Sequence, residues 1–152
     1  MRITAKADYA VRAAIELAAA PGDGPVKGED VARAQGIPRN FLENILTELR
    51  RAGLVRSRRG AEGGYWLARP ATEISIADVL RAVEGPLAAV QGERPDRLGY
   101  GGAAEQLPVV WVALRSSLRE VLERVSLADV ATGALPEVVT RRAADPDAWT
   151  DH

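Results

Sequence analysis

The chain has 152 residues, 47% hydrophobic and 27% charged, with a formal net charge of −1; this is the profile of a globular chain with one domain plus an appendage. It holds no cysteine and a single histidine, His152, at the last position, which excludes disulfides, zinc–thiolate centres, thiol redox sensing and Cys-ligated clusters and leaves a Ser-His-Asp triad without a well-held base. No apolar run approaches the roughly 18 residues of a membrane span and no apolar signal core follows Met1–Lys6, so no membrane association and a cytoplasmic location are expected.

In chain order, Thr4 to Ala20 reads as a helix, with Tyr9, Ala13, Leu17 and Ala20 at helical spacing and Pro21-Gly22-Asp23-Gly24-Pro25 as its stop. Glu29 to Gln35 is a short second helix with Val31 and Ala32 inward, and Gly36 stands where a left-handed cap is expected. Pro38 opens a third helix, where its missing N–H costs nothing. Phe41, Leu42, Ile45, Leu46 and Leu49 line one side of it; Arg39, Asn40, Glu43, Asn44, Thr47 and Arg50 line the other, and Gly53 closes it. Leu54–Ser57 and Tyr65–Leu67 are β-prone runs around the Gly-rich segment Arg58–Gly64, the pattern of a hairpin. Ile74 to Glu84 is a fourth helix with Ser75 as N-cap and a stripe of Ile76, Val79, Leu80 and Val83, stopped by Gly85-Pro86.

Residues 86–105, rich in Gly and mixed charges, read as a mobile loop or linker. A long helix from Leu107 to Val125 follows. Leu107, Val110, Trp111, Leu114, Leu118, Val121, Leu122 and Val125 form a seam close to a heptad. Ser126–Ala131 is a short closing helix, and the polar, Pro-containing remainder from Gly133 is expected to be loosely held. No internal repeat of useful length is apparent.

Charge is divided unevenly. Residues 1–70 hold 12 Lys and Arg against 8 Asp and Glu, whereas residues 71–152 hold 8 against 13. Between Arg39 and Arg59 six arginines face two glutamates. Three helices followed by a hairpin is the order of a winged helix-turn-helix, and the tight turn Gly36-Ile37-Pro38 is what aims a third helix outward. Arg39, Asn40, Glu43 and Asn44 suit base edges: Arg bridges guanine acceptors, Asn pairs with adenine and Glu accepts from cytosine. Arg50, Arg58 and Arg59 supply positive charge for phosphates or a minor groove. The bland alternative for each is a solvated polar face. The run Gly60–Gly64 is no phosphate loop, since it lacks the lysine and lies between strands. The long seam suits dimerisation through Val110, Trp111, Leu114, Leu118, Val121 and Leu122, with packing against the chain's own helices as the alternative.

The fold class expected is mainly α with a small β-hairpin, a winged helix-turn-helix head joined to a long dimerisation helix. The divisions are 1–85 (head), 86–105 (linker or sensor loop), 106–132 (dimerisation helices) and 133–152 (tail). The function read from the residues is a sequence-specific DNA-binding regulator, a homodimer on a palindromic operator. A winged-helix protein–protein module without DNA binding stands as the competing class, although decay of DNA binding would erode the arginines that persist here. Catalysis has no nucleophile, phosphate motif or placed histidine to rest on.

These same residues resemble a known family over about 1–132, the Rrf-two group of IscR, NsrR and CymR-type regulators. Ile3–Arg12 is similar to the family's opening helix, Gly36–Leu46 to its recognition helix, and Leu49–Val55 through Arg59–Tyr65 to its wing; Ala82–Leu87 and Ser126–Val130 also match in kind. The resemblance implies a dimeric repressor or activator, with repression expected. By position, Asn40, Glu43 and Asn44 would meet bases in the major groove, and Arg59 the minor groove or backbone. Many members bind an iron–sulfur cluster through three cysteines between the fourth and long helices; the corresponding stretch, Val90–Glu105, has none. Some members add a ligand from the first helix, where Asp8 lies, but carboxylates are poor substitutes for soft thiolates. No cluster, metal or other cofactor is therefore expected, and Asp8 is read as a surface or salt-bridging residue. The signal is left open between a small molecule near the linker and Trp111, a protein partner as the resemblance to CymR suggests, and none.

Overall fold

A computed structural model describes residues 1–152. Helix α1 (Ala5–Ala19) is started by Thr4, whose side-chain oxygen accepts from the Ala7 N–H. Its inward face is Ala7, Ala10, Ala13, Ala14 and Leu17. Small side chains let other helices approach closely, and α1 accordingly forms the axis of the fold. Helix α2 (Gly28–Gln35) ends on Gly36 at φ 61°, as the sequence requires. Helix α3 (Arg39–Arg51) follows, with Pro38 as the residue before the first turn and not within it. Leu42, Ile45, Leu46 and Leu49 bury its inner face, each contributing about 1.5–3 kcal/mol by leaving water.

Strands β1 (Val55–Arg58) and β2 (Gly64–Leu67) pair antiparallel, with Val55 opposite Leu67 and Arg58 opposite Gly64. Strand β1 is displaced by one residue from its sequence expectation, and β2 begins one residue earlier than expected while ending at Leu67 as expected. The reason lies outside the hairpin. Val26, in the α1–α2 connection, exchanges two 2.8 Å hydrogen bonds with Tyr65, adding a one-residue third strand that fixes where β2 begins. A Cβ on Gly64 would stand 2.5 Å from the Val26 carbonyl oxygen, so this pairing needs glycine there.

Helix α4 (Ile76–Glu84) is capped by Ser75. Ile74, expected inside the helix, precedes the cap and is fully buried in the core instead. Helix α5 (Leu107–Leu122) ends a turn before the expected Val125, which is buried in the connection to α6 (Leu127–Thr132). A core of 16 buried residues joins α1, α2, α3, β1, α4 and α6.

Residues 86–105 are irregular and mostly exposed, but anchored at one point. Two short 3₁₀ turns, Pro95–Arg97 and Gly102–Ala104, interrupt them; Pro95 is buried, and its turn lies against α5. The tail also departs from expectation. It forms α7 (Glu137–Ala143) and a 3₁₀ turn at Pro146–Trp149. Glu137 pairs with Arg141 one turn on, and Arg142 reaches Glu120 of α5 at 2.7 Å. Val138 and Val139 are half-buried, and each exposed charge pair adds about 0–1 kcal/mol.

Helix α5 contains no buried residue although it is rich in Val and Leu. Of the expected seam, Trp111, Leu114, Leu118, Val121 and Leu122 are half-buried, whereas Val110 is 56% exposed. Val109 (64%) and Val112 (43%) are also exposed and lie off that seam.

Candidate nucleic-acid interface

The wing depends on local backbone chemistry. Gly63 donates its N–H to the Gly60 carbonyl at 2.9 Å, and the Arg58 guanidinium donates to the Glu62 carbonyl at 3.0 Å, closing the tip. At Gly63 a Cβ would lie 2.1 Å from the Arg58 carbonyl oxygen, so only glycine fits. Arg59 is exposed at the tip and makes no hydrogen bond or ion pair within the chain. Arg50 donates to Ser57 Oγ at 3.1 Å, tying the outer face of α3 to β1.

Between α3 and the wing runs a groove of about 470 Å³. Lys27, Arg39, Arg50, Arg58 and Arg59 line it against two carboxylates, Glu29 and Glu43. One of those is already matched: Glu43 sits 3.6 Å from Arg39, one helical turn earlier. The groove is thus a concentrated positive surface beside a helix, the arrangement that receives a polyanionic backbone.

The structure brings Arg39, Glu43, Arg50, Arg58 and Arg59 together and divides the remaining sequence candidates from them. Asn44 lies on the opposite flank of α3, in a shallow depression with Lys6, Phe41, Thr47, Glu48 and Arg51. Asn40 is exposed and lines neither depression. On that opposite flank Lys6 is paired to Glu48 at 2.9 Å. Sequence reading missed Lys27, Lys6 and Arg51. Lys27 had a signal, since it immediately precedes α2 and a cation before a helix N-terminus is unusual. Arg51 had one too, lying four residues after Thr47 and seven after Asn44 on the same helix; Lys6 had none, because its place there is a product of how α1 packs on α3.

On the surface of α1, Asp8 sits 3.0 Å from Arg12, whose guanidinium also donates to the Gln35 carbonyl at 2.8 Å and lies over the Tyr9 ring. Asp8 is thus engaged as a salt-bridging residue. In the 90–105 stretch, the paired hydrogen bonds from Arg94 hold the Asp96 carboxyl below the usual carboxylate range. No group of three or more His, Cys, Asp or Glu is placed to hold a metal ion.

Comparison with known proteins gives one consistent result. Residues 3–133 match the Rrf2 family, described as iron-dependent transcriptional regulators. An HTH-type transcriptional regulator of Mycobacterium tuberculosis, Rv1287, is 59% identical over 145 residues, covering 95% of this chain and 90% of the relative. Among solved structures, CymR, the global cysteine regulator of B. subtilis, aligns with a TM-score of 0.73 at 34% identity, covering 88% of this chain and 98% of its own. The IscR of T. potens aligns with a TM-score of 0.71 at 32% identity, covering 100% and 93%.

Proposed function

Because the chain belongs to the Rrf2 family of transcriptional regulators, a family of regulators and not of enzymes, we propose that it binds a palindromic DNA operator as a homodimer and represses the promoter it covers. The observation that carries this reading is the groove between α3 and the wing, where five cations converge beside an exposed helix face. Helix α3 would enter the major groove, with Arg39, Asn40, Glu43 and Asn44 toward base edges. Arg50, Arg58 and Lys27 would take phosphates, which position the protein without reading sequence. Arg59 would reach from the wing into the adjoining minor groove. Because Arg39 pairs with Glu43, reading of a base by either requires the other to be released or shared.

Dimerisation would run through α5. An amphipathic helix with no buried residue in a single chain, and with Leu107, Val109, Val110 and Val112 open to water, calls for a second apolar surface. A dimer places two α3 helices about one DNA turn apart, and repression then needs only occupancy. Iron does not fit the residues present. The sequence has no thiolate, Asp96 of the 90–105 stretch is committed to Arg94, and Asp8 to Arg12. No step of the proposed function passes through a metal. A small molecule or a protein partner would act where residues 86–105 lie on α5, near Trp111.

The test is fluorescence-anisotropy binding to the DNA upstream of the protein's own gene, with shuffled DNA as competitor, at about physiological salt. Binding that shuffled DNA does not displace supports the reading. Equal binding to both, no tighter than roughly 10⁻⁶ M, is ordinary non-specific attraction and counts against it.

A further inference from the structure

Two six-residue segments echo one another: Ile74-Ser75-Ile76-Ala77-Asp78-Val79 and Val125-Ser126-Leu127-Ala128-Asp129-Val130. Each starts a helix and each forms a complete capping box. Ser75 Oγ accepts from the Asp78 N–H at 3.1 Å while the Ser75 N–H donates to Asp78 Oδ2 at 3.0 Å. Ser126 and Asp129 repeat this at 3.0 and 2.9 Å. The two boxes also face each other. Ser75 and Ser126 form an antiparallel bridge, in which the Ile76 N–H donates to the Val125 carbonyl and the Leu127 N–H to the Ile74 carbonyl, both at 2.9 Å.

A helix start leaves several backbone N–H groups without intrahelical partners. Here each helix satisfies its first N–H with a carbonyl from the other, and the N–H groups of its cap residue and third helical residue through its own Ser and Asp. The arrangement is a reciprocal clasp, roughly two-fold, between α4 and α6. Ile74 and Leu127, both fully buried, pin it to the core. Glu123, at the end of α5, extends it by pairing with Arg119 and with Arg81 of α4.

Position makes the clasp consequential. Helix α5 leaves the head through residues 86–105 and returns to it at Val125. Helix α4 packs against both α1 and α3. The clasp therefore joins the end of α5 to the helix that carries the reading head. We infer that Ser75, Asp78, Ser126 and Asp129 are positioning residues that hold α3 at a set distance and angle from α5, and thereby determine which half-site spacing the dimer accepts. This rests on the reading of the chain as a DNA-binding homodimer.

The experiment uses the full chain and duplexes built on the inverted repeat that the wild-type protein selects from a randomised pool. Half-sites are moved by one and two base pairs either way, and a single half-site serves as control. Each base pair turns a half-site by about 35°, so a rigid dimer shows one sharp optimum. Loss of a cap shifts a local equilibrium by a factor of about five. The Ser75→Ala/Ser126→Ala variant is thus expected to bind the single half-site as the wild type does, while its preference for the optimal spacing over the two-base-pair shifts falls about fivefold or more. Ser75→Thr/Ser126→Thr, which keeps both cap oxygens, is expected to restore the preference. All measurements are made below the melting temperature of each variant. A double-alanine protein with lower Tm but undiminished spacing preference overturns the inference, since the boxes then serve stability alone. A wild-type protein that binds without any spacing optimum overturns the homodimer reading on which it rests.

Discussion

Replacing Arg59 with alanine isolates the wing's contribution to binding. Arg59 is exposed and unpaired within the chain, so its removal should leave stability within about 0.5 kcal/mol of the wild type. Any change in DNA binding therefore belongs to the interface. A side chain that neutralises one phosphate contributes about 0.9 to the slope of log affinity against log salt. Raising salt from about 50 to 200 mM is a fourfold change, so the affinity advantage of wild type over Arg59→Ala should shrink about 3.5-fold across that range. Anisotropy titrations at four or five salt concentrations, on operator and on shuffled DNA, measure the slope directly. A phosphate contact lowers the slope on both DNAs; minor-groove insertion adds a larger loss on operators with a narrow A-tract. An unchanged slope on both, in a protein of wild-type Tm, would refute the placement of Arg59 against DNA.

Asn40→Ala and Glu43→Ala should each cost roughly 1–3 kcal/mol at the operator and relax base preference at one position; equal losses on operator and shuffled DNA would remove the base-reading role. Gly63→Ala forces a Cβ to 2.1 Å from the Arg58 carbonyl oxygen, so the wing must shift; a loss of about 1–3 kcal/mol by denaturant titration, together with weakened DNA binding, is expected, and a wild-type midpoint would show the tip to be yielding. Trp111→Asp should dissociate the dimer in light scattering, and a variant still dimeric would move the interface toward Val109 and Val112. Hydrogen bonds from Arg119 and Arg81 pull the Glu123 carboxyl down to about 2. A carboxyl lowered on folding stabilises fully above its unfolded value near 4.5 and loses that contribution as pH falls toward 2. Glu123→Gln should therefore lower stability at neutral pH by about 0.2–1 kcal/mol, as a partly exposed pair does, and the difference from wild type should vanish in acid; a difference independent of pH would assign the effect to packing.

Much of the fold was legible from local pattern. The Leu42, Ile45, Leu46 and Leu49 stripe of α3, the Gly36 cap and the glycines of the wing are short-range signals, each set by residues within one or two turns of one another; Phe41, expected on that stripe, is 52% exposed and instead meets Tyr9 of α1 edge-on. The class of function was legible for the same reason, since arginines on one helix face and one hairpin tip need no tertiary knowledge to count. The tail helix α7 was not legible, because its stabilising partner, Glu120, lies on another element. Nor was the placement of Ile74, whose burial is decided by the clasp with residues 125–127.

The sequence by itself determined helices α1 to α6 and the hairpin, their order and the basic head, because composition and helical or strand period are properties of the chain alone. Tertiary structure alone decided what stands beside each flank of α3, that Lys27 joins the wing groove, that Val26 completes the hairpin and that two serines 51 positions apart meet. Those outcomes rest on backbone hydrogen bonds between distant segments. Every peptide carries the same donor and acceptor, so such pairings leave little mark in the side chains until packing selects one of them.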